Sequence, residues 1–287
     1  MEQLDNDLAM AHSPDHHIVR LRWVLAVAAA LLSCLPATTQ AAEMVDAKIG
    51  FAPYRLGAST TVVSTIKVAT DNGEVPSPVI KVELNFPKSL NLTSSTLGLA
   101  ICDPTILLAQ GQAGCPTNAR MGLGVAQVAV PFGPEVVNEM AEMIVYMGPS
   151  IREGVTLLLY GEGRSPVYAQ MLLQGSLVGG TGPFNELLLT SDVPIIPTLP
   201  GARDVAITSM KLTLGPRGLL YNERLHGRTV SFRPRGLVLP AICPKGGFPF
   251  TSTITFKDGT VSALDIDIPC PPQKHHAPRR RLANSSP

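Results

Sequence analysis

Between Cys243 and Cys270 the sequence CPKGGFPFTSTITFKDGTVSALDIDIPC leaves little freedom in how it folds. Even-numbered positions carry the large apolar side chains: Phe248, Phe250, Ile254 and Phe256, then Leu264, Ile266 and Ile268. Odd positions carry Thr251, Thr253, Thr255 and Lys257, then Asp265 and Asp267. A period of two describes a strand pair with one buried and one wet face. Parity then selects the turn. A two-residue Asp258-Gly259 turn would pair Phe256 with Val261 and send the two apolar sets to opposite faces. A three-residue loop of Lys257, Asp258 and Gly259 pairs Phe256 with Thr260 and Ile254 with Ser262, so the even positions share one face. Gly259 then takes the left-handed conformation that such a loop needs.

Cys102 and Cys115 bracket a second turn-rich stretch. Four cysteines in an exported chain read as two disulfides. Of the three pairings, Cys102 with Cys115 and Cys243 with Cys270 each close a local loop. Each should contribute about 3–4 kcal/mol by constraining the unfolded chain. Export is read from residues 1–41, taken as a signal peptide. Arg20 and Arg22 precede an apolar run from Trp23 to Leu35, and small residues follow around Thr39 to Ala42. The run is too short to span a bilayer as a helix but suits a signal peptide. Cleavage after Ala41 places Thr39 and Ala41 at the small-residue sites. The preceding segment is long and acidic, which makes Met10 an alternative start. The rival reading is a lipoprotein anchored at Cys34, because Leu31-Leu32-Ser33-Cys34 loosely resembles a lipobox. No second apolar run follows.

The net charge of +1 is unevenly distributed. Without residues 1–41, and without Lys274, Arg279, Arg280 and Arg281 near the C-terminus, the body is close to neutral. A neutral body argues against nucleic acid, which needs a clustered basic face.

From Ala47 onward the pattern is strands. Ser59 to Val68 is rich in Thr and Val, and Ile80, Val82, Leu84 and Phe86 alternate with Lys81, Glu83 and Asn85. Inside the first disulfide, Asp103-Pro104 is an N-cap and first-turn pair. It predicts a short helix over Thr105–Gln110 closed by Gly111. Gly122 and Gly124 suggest a bulge or a close backbone approach in the strand from Met121 to Val130. Met140, Met143 and Met147 have a spacing that would suit a helix face, but core filler in a strand is preferred. Pro194 to Gly201 is the best internal linker and the one place for a sub-boundary. The segment after it looks too thin to form a core alone. The expectation is an all-β chain: an immunoglobulin-like or related β-sandwich of roughly ten to thirteen strands, with one short helix in a disulfide loop. It occupies residues 42–272 as a single domain, and 273–287 form a disordered basic tail.

Six phrases carry a resemblance: RLGASTT (Arg55–Thr61), LGLAICDP (Leu97–Pro104), GCPTNARMGLG (Gly114–Gly124), SPVYAQ (Ser165–Gln170), HGRTVSFRPRG (His226–Gly236) and CPKGGFPF (Cys243–Phe250). Together they resemble an uncharacterised family of exported, disulfide-containing, β-rich actinobacterial proteins. The resemblance runs from about Val45 to Pro271. It implies secretion and the local disulfides, and it brings no catalytic residues.

Catalytic groups are scarce. A serine nucleophile needs a base beside it, yet His226 is the one histidine between signal and tail, and Gly163-Arg164-Ser165-Pro166-Val167 lacks the last glycine of a nucleophile elbow. Ser165 is better explained as a strand-entry turn. Glu153, Glu162, Glu186, Asp192 and Asp204 are the candidates for a paired-carboxylate hydrolase, against the plainer reading that they cap turns. Asp265 and Asp267 share the wet face of the hairpin, as calcium ligands or as charges that keep an edge strand from pairing with strangers. No cysteine spacing resembles a metal knuckle. Trp23 leaves with the signal, and Tyr54, Tyr146, Tyr160, Tyr168 and Tyr221 are scattered, which weakens a sugar-stacking platform. No catalytic residue, metal or cofactor is assigned. The expectation is a non-catalytic extracellular or cell-envelope protein that binds or scaffolds an unknown ligand, with a glycosidase-like hydrolase as the alternative.

The tail KHHAPRRR either holds an anionic envelope polymer through screened attraction or is an idle, solvated end. If it tethers, a form truncated after Pro272 will leave isolated envelopes at low salt, and high salt will release the full-length protein likewise. Sedimentation with envelope fragments measures this. Equal retention of both forms at every salt concentration would show the tail to be idle.

Overall fold

The computed structural model describes residues 41–87, 90, 96–165, 168–179 and 187–271. Cys34, Glu186 and the tail residues Lys274, Arg279, Arg280 and Arg281 lie outside them. The strands are β1 (Glu43–Ala52), β2 (Ser59–Thr70), β3 (Val79–Phe86), β4 (Arg120–Phe132), β5 (Glu135–Ile151), β6 (Gly154–Gly163) and β7 (Ala169–Gly179). They continue with β8 (Leu187–Asp192), β9 (Ala206–Leu214), β10 (Tyr221–Leu225), β11 (Arg228–Phe232), β12 (Leu237–Val238), β13 (Phe248–Phe256) and β14 (Val261–Ile268). Among the described residues a single α-helix, α1 (Pro104–Gln110), lies between β3 and β4.

The terminal hairpin has the expected register. Ile254 pairs with Ser262, the Phe256 N–H donates to the Thr260 carbonyl at 2.9 Å, and Gly259 has φ 90°. Phe248, Phe250, Ile254 and Phe256 are buried, while Asp265 and Asp267 are exposed. Both local disulfides are present, with Cα–Cα distances of 5.1 Å for Cys102–Cys115 and 5.9 Å for Cys243–Cys270. Asp103 caps α1 through Oδ1, which accepts from the amides of Thr105 and Ile106, and Gly111 ends the helix at φ 62°.

The all-β class is as expected, but all the strands except β10 and β11 form one sheet rather than the two of an immunoglobulin-like sandwich. Eleven strands are hydrogen-bonded in the order β1-β2-β9-β4-β5-β6-β7-β8-β3-β13-β14, each antiparallel to its neighbour. The sheet curls until β14 lies against β1, nearly closing a barrel. Bulges bend it: register shifts occur at Arg120/Gly122 and Gln127/Val128 in β4, at Met147/Ser150 in β5 and at Thr255/Phe256 in β13. An extra residue bends a strand and raises its twist, which favours closure. Gly122 sits at one of these bulges and also lets β9 approach, because a Cβ there would overlap the Thr213 carbonyl.

No hydrogen-bonded ladder joins β1 to β14 among the described residues, and the seam is stitched at its ends instead. At one end the Ser77 N–H donates to Glu43 Oε1 (2.6 Å), while Ser77 Oγ accepts from the Asp258 N–H (3.1 Å). At the other, the Tyr54 hydroxyl donates to the Pro269 carbonyl, and Phe51 meets Phe248 edge-on at 5.2 Å. Asp265 and Asp267 therefore sit on a true edge strand, where charge discourages pairing with another chain.

The stretch Pro194 to Gly201 does not mark a boundary. The strand that follows it, β9, is inserted between β2 and β4 of the same sheet. β10 and β11 form a separate hairpin whose two-residue turn holds His226 at φ 49° and Gly227 at φ 79°. On β5, Met143 is buried and Met140 is 64% exposed, as alternation along a strand dictates.

Thermal or denaturant melts test the hairpin by an ordering. Gly259→Val should cost ~1–3 kcal/mol from backbone strain alone, since the site is otherwise open. Ile254→Ala should cost ~2–5 kcal/mol by leaving a cavity. Thr255→Ser should stay within ~0.5 kcal/mol. Equal damage from Thr255→Ser and Ile254→Ala would contradict the register.

Candidate functional site

Alternation along the strands sorts the barrel into an apolar inside and a polar outside. Val82, Leu84 and Phe86 of β3 face the lumen, which leaves Lys81, Glu83 and Asn85 outward. Met210 and Leu212 of β9 face in, with Ser209 and Lys211 outward. Ser252 and Ile254 of β13 likewise put Thr251, Thr253 and Thr255 outside. On these three strands the pattern is the reverse of the polarity a lipid-facing barrel requires. Among the described residues no helix is long and apolar enough to cross a membrane.

Eleven strands enclose more room than eight, whose inward side chains just fill the interior. The surplus appears as two chambers. The inner one, about 170 Å³, is walled by side chains from ten strands, including Ile66, Val82, Val145, Leu159, Leu173, Leu189, Leu212 and Leu264. Of the hydroxyls that line it, those of Ser64 and Ser191 donate to the backbone carbonyls of Leu212 (3.4 Å) and Gln174 (3.3 Å). The outer chamber, about 290 Å³, is lined by Val128, Val130, Phe132, Ala141, Met171, Val205 and the segment 196–199. Gly161 and Met171 of the outer chamber each lie two residues along the strand from Leu159 and Leu173 of the inner one, so both chambers share one sheet face.

The β6 sequence Leu-Leu-Leu-Tyr-Gly-Glu-Gly shows how that space is made. Its inward positions run Leu157, Leu159, Gly161, Gly163. Side chains vanish towards the outer chamber, and neighbouring β5 fills part of the gap. A Cβ at Gly161 would come within 2.8 Å of the Met143 sulfur, and one at Gly163 would overlap the Glu139 carboxylate. Glu139 is 6% exposed and lines the outer chamber, with Oε1 accepting from the Ser165 N–H at 3.0 Å.

The stretch that looked like a linker is the cover of this chamber. Ile196, Pro197, Thr198 and Leu199 lie over it, and the loop is closed on itself by Val205 N–H to Ile196 O (3.0 Å) and Thr198 Oγ1 to Arg203 O (2.7 Å). Two ion pairs tie it to neighbouring turns. Arg203 meets Glu74 after β2 at 2.8 Å, and Lys257 of the β13–β14 turn meets Asp204.

The outer face of β5 and β6 is covered too. Tyr146, Leu158 and Tyr160 pack under α1 with Leu107 and the Cys102–Cys115 disulfide, forming a core outside the barrel. Burial pushes the Tyr160 phenol well above its ordinary range, and the nearby Glu162 carboxylate adds to this. Burial raises Tyr146 and Tyr221 as well, against the opposing Arg120 charge and the Gly98 N–H respectively.

The sequence-selected chemical groups are placed as follows. Glu153 sits in the β5–β6 turn, Asp192 ends β8, and Asp204 is paired with Lys257. Glu162 faces Glu142 across β5–β6 in an open polar recess, where Arg164 holds it at 2.9 Å and the Tyr160 hydroxyl lies at 3.3 Å. That carboxylate is committed to its neighbours. Ser165 presents its amide to Glu139, and His226 is a turn residue. Among the described residues no three acidic, histidine or cysteine side chains gather closely enough to hold a metal ion. Tyr146, Tyr160 and Tyr221 are buried, Tyr54 packs on Phe51, and Tyr168 is exposed, so the tyrosines form no common platform. Glu139 and the lumen escaped the sequence reading. The available signal was parity: Glu139 falls on the same face as Met143 and Val145.

Compared with known proteins, the chain matches no family model, no curated protein and no solved structure.

The phenols generate an alkaline prediction. Their folded-state pKa values lie above the unfolded value of about 10, so the unfolded chain sheds protons first. Stability is therefore retained below about pH 10 and falls as pH rises further. Melting temperature followed against pH should show this loss together with cooperative phenolate absorbance, and Tyr160→Phe should reduce it. Phenolate absorbance for the three buried tyrosines rising well before unfolding would contradict their burial.

Proposed function

We propose that this protein is an exported, non-catalytic carrier of small apolar molecules, which it holds in the barrel lumen beneath the 196–199 cover. The observation that carries this reading is the pair of apolar chambers inside a barrel whose outside is polar. Binding cavities are commonly concave and apolar with few polar groups, and burial of apolar surface drives such binding at roughly 25 cal/mol per Å². Two disulfides suit an oxidising compartment outside the cytosol. An envelope tether through Lys274, Arg279, Arg280 and Arg281 would keep the carrier near its ligands, and scaffolding alone would leave the lumen without a use.

Entry is expected past the cover, because surface ion pairs of the Arg203–Glu74 kind are worth only about 0–1 kcal/mol each. A fluorescent apolar probe such as N-phenyl-1-naphthylamine should brighten on binding and be displaced by alkyl chains. Ala141→Leu, which adds bulk to the outer chamber, should weaken the probe several-fold with the melting temperature retained. Arg203→Ala combined with Asp204→Asn should speed uptake and release a few-fold, as should added salt on the native protein. A probe that fails to bind, or binds equally to Ala141→Leu, would overturn the reading.

A further inference from the structure

An apolar chamber does not by itself call for a carboxylate, yet Glu139 is more than nine-tenths buried in the wall of one. The placement is built into the backbone. Glu139 shares the inward face of β5 with Ala141, and Gly163, which pairs with Ala141 and so lies diagonally across from Glu139, is the residue type that leaves its carboxylate room. Oε1 is held by the Ser165 N–H at 3.0 Å, while Oε2 accepts no hydrogen bond among the described residues. Among the described residues lining the chamber none is basic, and the polar side chains besides Glu139 are those of Gln170 and Thr198. Taking a carboxylate out of water is costly unless charge and hydrogen bonds compensate it. A single backbone amide serves Oε1, and Oε2, which is not among the fully enclosed polar atoms, is left to the chamber.

We propose that Glu139 is the headgroup site of the lumen and selects amphiphiles whose polar end is a protonated amine. This rests on the carrier reading above and adds the ligand's chemical class. The ammonium supplies both what Oε2 lacks, a hydrogen-bond donor, and a charge opposite to the carboxylate in a partly desolvated site where Coulomb attraction is strong. The alkyl chain then runs along the face shared with the inner chamber, from Gly161 and Met171 towards Leu159 and Leu173. An alcohol of the same length provides the donor without the charge. A fatty acid brings a second carboxylate to the first and is disfavoured.

The test is displacement of N-phenyl-1-naphthylamine at neutral pH by decylamine, decanol and decanoate, with the mature full-length protein and with Glu139→Gln. The side-chain amide of that variant keeps an oxygen for the Ser165 N–H, so folding should survive, and a melting curve checks it. The native protein should rank decylamine above decanol above decanoate, with at least about ten-fold between the ends, which is the factor that 1.4 kcal/mol of differential interaction produces. Glu139→Gln should bring the three within a few-fold of one another while retaining probe binding. Gly163→Ala, whose methyl group displaces the carboxylate, should weaken the same preference. Displacement by all three chains with equal strength, or an order unchanged in Glu139→Gln, would overturn the headgroup site and leave the carrier reading standing. Failure of the probe and all three chains to bind the native protein would overturn both.

Discussion

Closing eleven antiparallel strands encloses a lumen wider than their inward side chains can fill, and most of the molecule's features follow from that geometry. Barrel diameter grows with strand number, and packing to interior density becomes harder as it does. Phe51, Phe248 and Phe250 with Leu237, Leu239 and Tyr221 solve the problem at one end by building a dense plug. Towards the other end β6 runs out of side chains at Gly161 and Gly163, and the space remains open. A cavity lined by aliphatic groups forfeits contacts that a filled core would make. A ligand of matching polarity would restore them, and the carrier proposal rests on that.

Closure also has to be held without a complete ladder. The seam between β1 and β14 relies on Ser77, Glu43 and Asp258 at one end and on Tyr54 at the other. Glu43 is drawn into this stitching at some expense, since burial raises its carboxyl and Oε2 has no partner among the described residues. The Cys243–Cys270 disulfide closes the chain around β13 and β14, binding the last two strands of the sheet covalently at their open end. The second disulfide acts elsewhere. It fastens α1 over the outside of β5 and β6, so that Tyr146 and Tyr160 are buried on the face that alternation would otherwise leave wet.

The cover and the lumen are governed by different forces. The 196–199 segment rests apolar side chains on the outer chamber, but it is anchored by ion pairs whose partners Glu74 and Lys257 belong to exposed turns. Screened contacts of that kind release easily, whereas the sheet beneath is held by continuous antiparallel ladders. In the proposed carrier, a rigid wall with a loosely tied cover would let the chambers keep their shape while a ligand passes.

Much of the local structure was legible in the residues. Parity around Lys257-Asp258-Gly259 specified the hairpin register, because shifting by one residue would have exposed every aromatic on β13. Asp103-Pro104 with Gly111 specified the helix and its ends, and the cysteine spacing favoured, among three pairings, the two local ones that the structure shows. Only the tertiary structure decided that the strands close into one barrel rather than stack as two sheets. The period of two is the same in both, and strand order depends on long-range pairing such as that of β9 with β2 and β4. The same limit hid the site. Pro194 to Gly201 has a linker's composition whether it joins domains or covers a lumen, and Glu139 differs from an ordinary surface glutamate only in the direction its strand faces, which closure of the sheet turns inward.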